Sequence, residues 1–154
     1  MVTFRNVEDK DQQFIETVYR STREKELSLT NWTEDEKHRF IIMQSMAQLA
    51  EYKKNYKDAV YKIICYKNKP AGRLYLWESN DEIRVIDISL LPQFRSKGIG
   101  GKILRDLIQL ARQQNKIVSL NVVHDNPAKK LYERVGFTTI SNNNNREYME
   151  CKPA

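Results

Sequence analysis

A single α/β domain built on a mixed sheet is predicted for this 154-residue chain, from three observations. Runs of β-branched and aromatic residues recur through the middle of the sequence, separated by short turn segments. A helix of strong 3.6-residue periodicity lies between two apolar, strand-like runs. Three of the five glycines fall together where that helix begins. An antiparallel meander followed by a parallel strand–helix–strand unit accommodates all three.

Residues 2–5 read as a short first strand. Phe14, Ile15, Val18 and Tyr19 then share one face of a helix. A second helix is predicted to start at Thr33, because Thr33 and Glu36 form a capping box in which each side chain satisfies a free backbone N–H. Its predicted apolar face carries Phe40, Met43, Ala47 and Ala50, and its end lies near Tyr56. Residues 59–66 are rich in β-branched and aromatic side chains and read as a strand. Residues 68–72, Asn-Lys-Pro-Ala-Gly, read as a turn. Residues 73–77 alternate as a second strand, residues 79–81 turn again, and residues 83–91 form a third, mostly apolar strand.

Residues 98–114 give the clearest helix. Ile99, Ile103, Leu104, Leu107, Ile108 and Ala111 line one face, with Lys102, Arg105, Asp106 and Gln109 on the other. Residues 117–123 form a strand that this crossover places parallel to the third. A short helix follows, with Asn126 as N-cap, Pro127 at its first position and Gly136 as a left-handed cap. Residues 137–140 and 146–151 read as a final hairpin, with turn chemistry at the four asparagines 142–145.

A glycine inside a helix costs roughly 1 kcal/mol relative to alanine, so three at a helix start call for a cause. One cause is close approach of an anion: free N–H groups and the macrodipole attract negative charge, and absent side chains let it come near. Arg95 and Lys97 add full charges. The competing cause is tight packing at a strand-to-helix turn. A P-loop is excluded because Gly101-Lys102 is followed by Ile103 and not by Ser or Thr. A dinucleotide fingerprint is excluded because Gly98-x-Gly100 meets Ile103 where the third glycine belongs.

Composition narrows the classes further. No apolar run approaches the roughly 18 residues of a membrane span, and the start of the chain has no signal-peptide core, which makes a cytoplasmic protein the default expectation. Two cysteines, Cys65 and Cys151, and two histidines, His38 and His124, give no disulfide framework and no metal spacing. The net charge of +6 favours anionic partners, yet no block of like charge or recognition motif supports nucleic-acid binding.

Two blocks carry a family resemblance. Pro92-Gln93-Phe94-Arg95-Ser96-Lys97-Gly98-Ile99-Gly100 resembles the acyl-CoA signature of the GNAT N-acetyltransferases, Gln/Arg-x-x-Gly-x-Gly/Ala, with Ser96 where the family often has glycine. Asn126-Pro127-Ala128-Lys129-Lys130-Leu131-Tyr132-Glu133-Arg134-Val135-Gly136-Phe137 resembles that family's other common segment. The resemblance covers residues 59–151 well and the first 58 only in element order. It implies the GNAT-like acyl-CoA N-acyltransferase fold, with acetyl-CoA as cosubstrate and no metal. It also implies roles. Backbone N–H groups of Arg95, Ser96, Lys97, Gly98, Ile99, Gly100 and Gly101 would bind the pyrophosphate. Ser89, Leu90 and Leu91 would pair with the pantetheine arm, and Asn126 would contact it. Tyr132 would protonate the departing thiolate.

A primary amine is the expected acceptor, and a base must take its proton. Asp87, on the third predicted strand, is the candidate. Arg73, Tyr75 and Trp77 share a face of the neighbouring strand and are candidate acceptor contacts. Glu24 and Glu26 lie where the family often places acceptor residues, though solvated surface charge explains them as well. A non-catalytic acyl-CoA-binding module is the alternative function, distinguished by the absence of Tyr132-dependent transfer. A homodimer is compatible with the sequence.

Overall fold

The computed structural model describes residues 1–153. In chain order its elements are β1 (Val2–Asn6), α1 (Gln12–Ser28), α2 (Glu34–Asn55), β2 (Val60–Tyr66), β3 (Lys69–Glu78), β4 (Glu82–Leu90), α3 (Ile99–Gln113), β5 (Ile117–Val123), α4 (Ala128–Val135), β6 (Thr138–Asn143) and β7 (Arg146–Cys151). The strands are ordered β1-β2-β3-β4-β5-β7-β6 in a seven-stranded mixed sheet. The chain groups into two compact units, one of Met1–Leu74 with Ile88–Phe94, the other of Tyr75–Asp87 with the chain from Arg95 onward. No helix is long and apolar enough to cross a membrane among the described residues.

In the first unit β1 pairs antiparallel with β2, Phe4 facing Ile64. Tyr19 and Leu27 of α1 bury against Ile41 of α2, with Phe40 at the margin. The capping box at Thr33 is present: Glu36 N–H donates to Thr33 Oγ1 at 3.2 Å and Thr33 N–H to Glu36 Oε1 at 2.9 Å. The buried face of α2 differs from the predicted one. Met43 and Met46 are 60% exposed, and Ala47 and Ala50 also face out, whereas Ile41 and Ser45 are buried. The cause lies in β3. Arg73 is only 2% exposed, its Nη2 donates to Gln48 Oε1 at 2.8 Å, and its guanidinium lies over the Tyr19 ring. A buried guanidinium requires polar company, so α2 turns its Gln48 side inward.

The turn before β3 is also shorter than predicted. Lys67 and Asn68 have φ of 50° and 66°, the two left-handed positions of a type I′ hairpin, and Pro70 and Gly72 belong to β3. At Gly72 the backbone of β4 comes so close that an added Cβ would sit 2.0 Å from the Ser89 carbonyl oxygen. Leu91 N–H donates to Ala71 O at 2.8 Å beside it.

Arg5 forks onto Asp11, two N···O distances being 2.8 Å. The Asp11 side chain is 6% exposed, and it also accepts from Glu8 N–H. The guanidinium's hydrogen bonds hold the Asp11 carboxyl down at about 2. A carboxyl depressed in the folded state stabilises above its ordinary pKa, and that contribution disappears as pH falls through about 2. Asp11→Ala is expected to cost about 2 kcal/mol at neutral pH, below a fully buried pair because Arg5 is 36% exposed. It should also flatten the acid limb of a pH series of thermal unfolding.

In the second unit β4 and β5 are parallel, Ile83 facing Val118, as the crossover predicts. β5, β7 and β6 continue antiparallel. α3 packs on β5 and buries Ile99, Ile103, Leu104, Ile108 and Ala111. β6 runs to Asn143, so only Asn144, at φ 56°, and Asn145 form the hairpin turn.

Candidate active site

The segment between β4 and α3 decides what the start of α3 presents. Ser96 has φ 61° and Gly98 φ 80°, two left-handed residues with Lys97 between them. Such alternation turns successive N–H groups toward one side, a concavity suited to anions. Gly98 is the N-cap of α3 and supplies no side-chain cap. The N–H groups of the first turn therefore lack the partner that Ser, Thr, Asp or Asn would give them. A Cβ at Gly98 would meet nothing within 4 Å. Arg95, Ser96, Lys97 and Gly98 are all exposed.

The other two glycines serve a different purpose. A Cβ on Gly100 would lie 3.5 Å from Leu131 Cδ2, and one on Gly101 3.5 Å from Leu131 Cδ1 and 3.1 Å from Arg105 Nη1. Leu131 of α4 sits against the first turn of α3 here, at a distance where an alanine Cβ would make ordinary contact and only the tip of Arg105 would have to give. Of the three glycines, Gly98 alone has a left-handed conformation, with open space where a side chain would stand, while Gly100 and Gly101 lie under Leu131.

α4 is capped as predicted. Asn126 Oδ1 accepts from Ala128 N–H at 2.9 Å, and Pro127, already helical at φ −57°, has no N–H to leave unpaired. Gly136 closes the helix at φ 121°, and Phe137 N–H returns to Tyr132 O at 2.9 Å. A surface hollow of about 480 Å³ borders Asn126, Lys129 and Lys130. A second cavity, of about 390 Å³, lies at the β6–β7 hairpin beside Asn121 and Tyr148, and none of the predicted site residues lines it.

Tyr132 is 7% exposed and meets Phe137 edge-on, ring centroids 6.0 Å apart. Its hydroxyl has no hydrogen-bond partner among the described residues. Burial, and then the field of the Asp87 carboxylate, push the phenol up to about 12. The arrangement keeps a proton on a buried oxygen across the whole neutral range.

The family model for the GNAT acetyltransferases matches residues 15–137. The chain belongs to the GNAT acetyltransferase family. The fold agrees with solved structures over essentially its whole length. The PaiA N-acetyltransferase of Thermoplasma acidophilum, solved with coenzyme A, has a TM-score of 0.70 at 17% identity, with 99% of each chain covered. An acetyltransferase from Streptococcus agalactiae gives 0.66 at 12% identity over 98% of each chain. The Campylobacter jejuni N-acetyltransferase PseH, solved with acetyl coenzyme A, gives 0.63 at 16% identity over 100% of each. Comparison with curated protein sequences returned no match.

The other residues singled out in this GNAT sequence fall in varied settings. Ser89 and Leu90, at the end of β4 that presses on Gly72, are half-buried, and Leu91 just beyond it is buried. Asp87 is half-buried within reach of the Tyr132 phenol's field. Tyr75 is 2% exposed, as is Arg73, and Trp77 is half-buried. Glu24 and Glu26 are exposed and pair along α1 with Arg20 at 3.4 Å and Arg23 at 2.8 Å. Sequence reasoning missed Glu147 of β7, 3% exposed. Its partners come from three other segments, so no local pattern announces it. Among the described residues no three His, Cys, Asp or Glu side chains gather as metal ligands.

Proposed function

We propose that the chain transfers an acetyl group from acetyl-CoA to a primary amine of a small molecule or peptide, with Tyr132 as general acid. One observation carries the donor half of this reading: the start of α3, where Gly98 in a left-handed conformation gives the first-turn N–H groups no side-chain cap, has open space where its own side chain would stand, and follows Arg95 and Lys97 in the chain. A pyrophosphate fits such a site in charge and in the room it needs. Membership of the GNAT family, and the coenzyme A and acetyl coenzyme A in the PaiA and PseH structures, support the same donor.

Within this reading the backbone N–H groups from Arg95 to Gly101 hold the pyrophosphate. Ser89 to Leu91 pair with the pantetheine arm, and Asn126 contacts it. Arg73, Tyr75 and Trp77 contribute to the acceptor pocket, the burial of Arg73 and Tyr75 limiting those two to a shaping role. The amine nitrogen forms a bond to the thioester carbon as the carbon–sulfur bond breaks. Asp87, directly or through a water molecule, takes the proton the amine must lose. Tyr132 donates its hydroxyl proton to the sulfur that leaves, and solvent returns one proton from base to acid.

The test has two stages. Acetyl-CoA at saturating concentration is expected to raise the melting temperature, and a thiol-release screen over amines then finds the acceptor. No stabilisation by any acyl-CoA overturns the reading. Binding without turnover across the panel would favour an acyl-CoA-binding module. Gly98→Ala separates fold from ligand. Its methyl meets no protein atom, so stability should fall by only about 1 kcal/mol for the left-handed φ. Within the proposed cradle the same methyl would occupy room the anion needs, so the Kd for acetyl-CoA should rise more than about tenfold, a loss of roughly 1.4 kcal/mol in binding.

A further inference from the structure

Helix α4 has eight residues, too few to hold a position by its own hydrogen bonds. Its place is set by what it touches. On one side Leu131 rests against the first turn of α3. On the other, Lys129 reaches into the β6–β7 hairpin, where Nζ lies 2.8 Å from Glu147 Oε2. That contact is an ion pair off the line of a well-aligned hydrogen bond. The same oxygen is 3.2 Å from His124 Nδ1, in the loop that leads to Asn126, and Thr139 Oγ1 donates to Oε1 at 2.9 Å. His124 N–H also donates to Asn145 O. One buried carboxylate therefore gathers the loop after β5, the first turn of α4, and β6.

A buried ion pair adds little net stability, because removing both charges from water costs about as much as their attraction returns. What it does supply is position. The Lys129 ammonium favours the ionised carboxylate, holding Glu147 below its ordinary range, so the tie is intact at neutral pH. Lys129 and Tyr132 stand three residues apart on α4 and so share a side of the helix. A shift of Lys129 is thus a shift of Tyr132.

We propose that Glu147 is a positioning residue which, through Lys129 and His124, fixes helix α4 so that the Tyr132 hydroxyl stands where the leaving sulfur needs it. The inference rests on the general-acid reading of Tyr132. Misplacing a reacting group by about 1 Å can cost on the order of 10²-fold in rate. Glu147→Gln keeps the shape and removes the charge, so a loss of about tenfold in kcat is the expected outcome.

The deciding measurement is kcat in a double-mutant cycle with Tyr132→Phe. If Glu147 acts through Tyr132, Glu147→Gln lowers kcat in the native background and adds no further loss in the Tyr132→Phe background. An equal loss in both backgrounds means a general structural role and overturns the proposal, as does a normal kcat in Glu147→Gln while Tyr132→Phe is slow. If Tyr132→Phe turns over normally, the general-acid reading falls and the inference falls with it. Lys129→Met supplies a second route should Glu147→Gln fold poorly. It removes the α4 end of the tie, and its loss in kcat should match that of Glu147→Gln; a normal kcat there also overturns the proposal.

Discussion

Gly72→Ala is expected to lower stability by about 3 kcal/mol, the upper end for a single overpacked methyl and more than most surface or core changes give. The added carbon would stand 2.0 Å from the Ser89 carbonyl oxygen and 3.0 Å from Leu90 Cα. Both obstacles are backbone, so no rotamer change relieves them, and the strands must part by an ångström or more. Leu91 N–H, bonded to Ala71 O one residue away, resists that movement. For a chain of this length the loss corresponds to a fall of roughly 6–12 °C in melting temperature. The displaced stretch is Ser89 to Leu91, proposed above to pair with the pantetheine arm, so acetyl-CoA should also bind more weakly. A melting temperature within about 2 °C of the native chain would show that the close approach is not fixed.

Tyr132→Phe is expected to reduce kcat by about 10²-fold, the lower range for loss of a general acid, because a thiolate is a moderately good leaving group. Stability should not follow. Phenylalanine keeps the edge-on contact with Phe137 and deletes a buried hydroxyl that has no protein partner among the described residues, a change that is neutral or slightly favourable. The alkaline limb supplies a second readout. A phenol whose folded pKa is raised to about 12 contributes stability that is fully present below its ordinary value near 10 and is lost as pH rises through about 12. The variant lacks that titration, so it should lose less stability than the native chain over this window. Tyr148 also titrates near 12, from burial and then Glu150, but it is common to both proteins, so their difference isolates Tyr132. Equal kcat values in the two proteins would remove the acid role.

How far the sequence could be read depended on where each constraint originates. α3 was legible because its apolar stripe, from Ile99 to Ala111, meets an ordinary apolar surface, so periodicity and burial coincide. α2 was not, because its inner face answers to a buried Arg73 some 25 residues away along the chain. Gln48 turns in for the guanidinium, and Met43 is left outside. The turn at Lys67 and Asn68 was overlooked because Pro70 and Gly72, both residues that usually mark turns, stand inside β3. Gly72 is glycine for the sake of Ser89, on a different strand. The candidate site divides in the same way. Arg95 to Gly101 and Asn126 to Gly136 are local devices, a left-handed helix start and a capped short helix, and local devices leave local patterns. Glu147 is a tertiary device, and an acidic residue in a hairpin sequence looks the same whether it faces water or closes a cage.

Leu131 resting on Gly100 and Gly101 makes the proposed donor cradle and the helix that carries the proposed acid one mechanical part. A Cβ on either glycine would already reach Leu131 at 3.5 Å, so a side chain longer than alanine's would press on α4 and on the α3 turn together. Affinity for the thioester and speed of its cleavage cannot then be adjusted separately at this seam. Engineering toward a bulkier acyl donor would do better to begin on the acceptor side, leaving this pair of bare backbones alone.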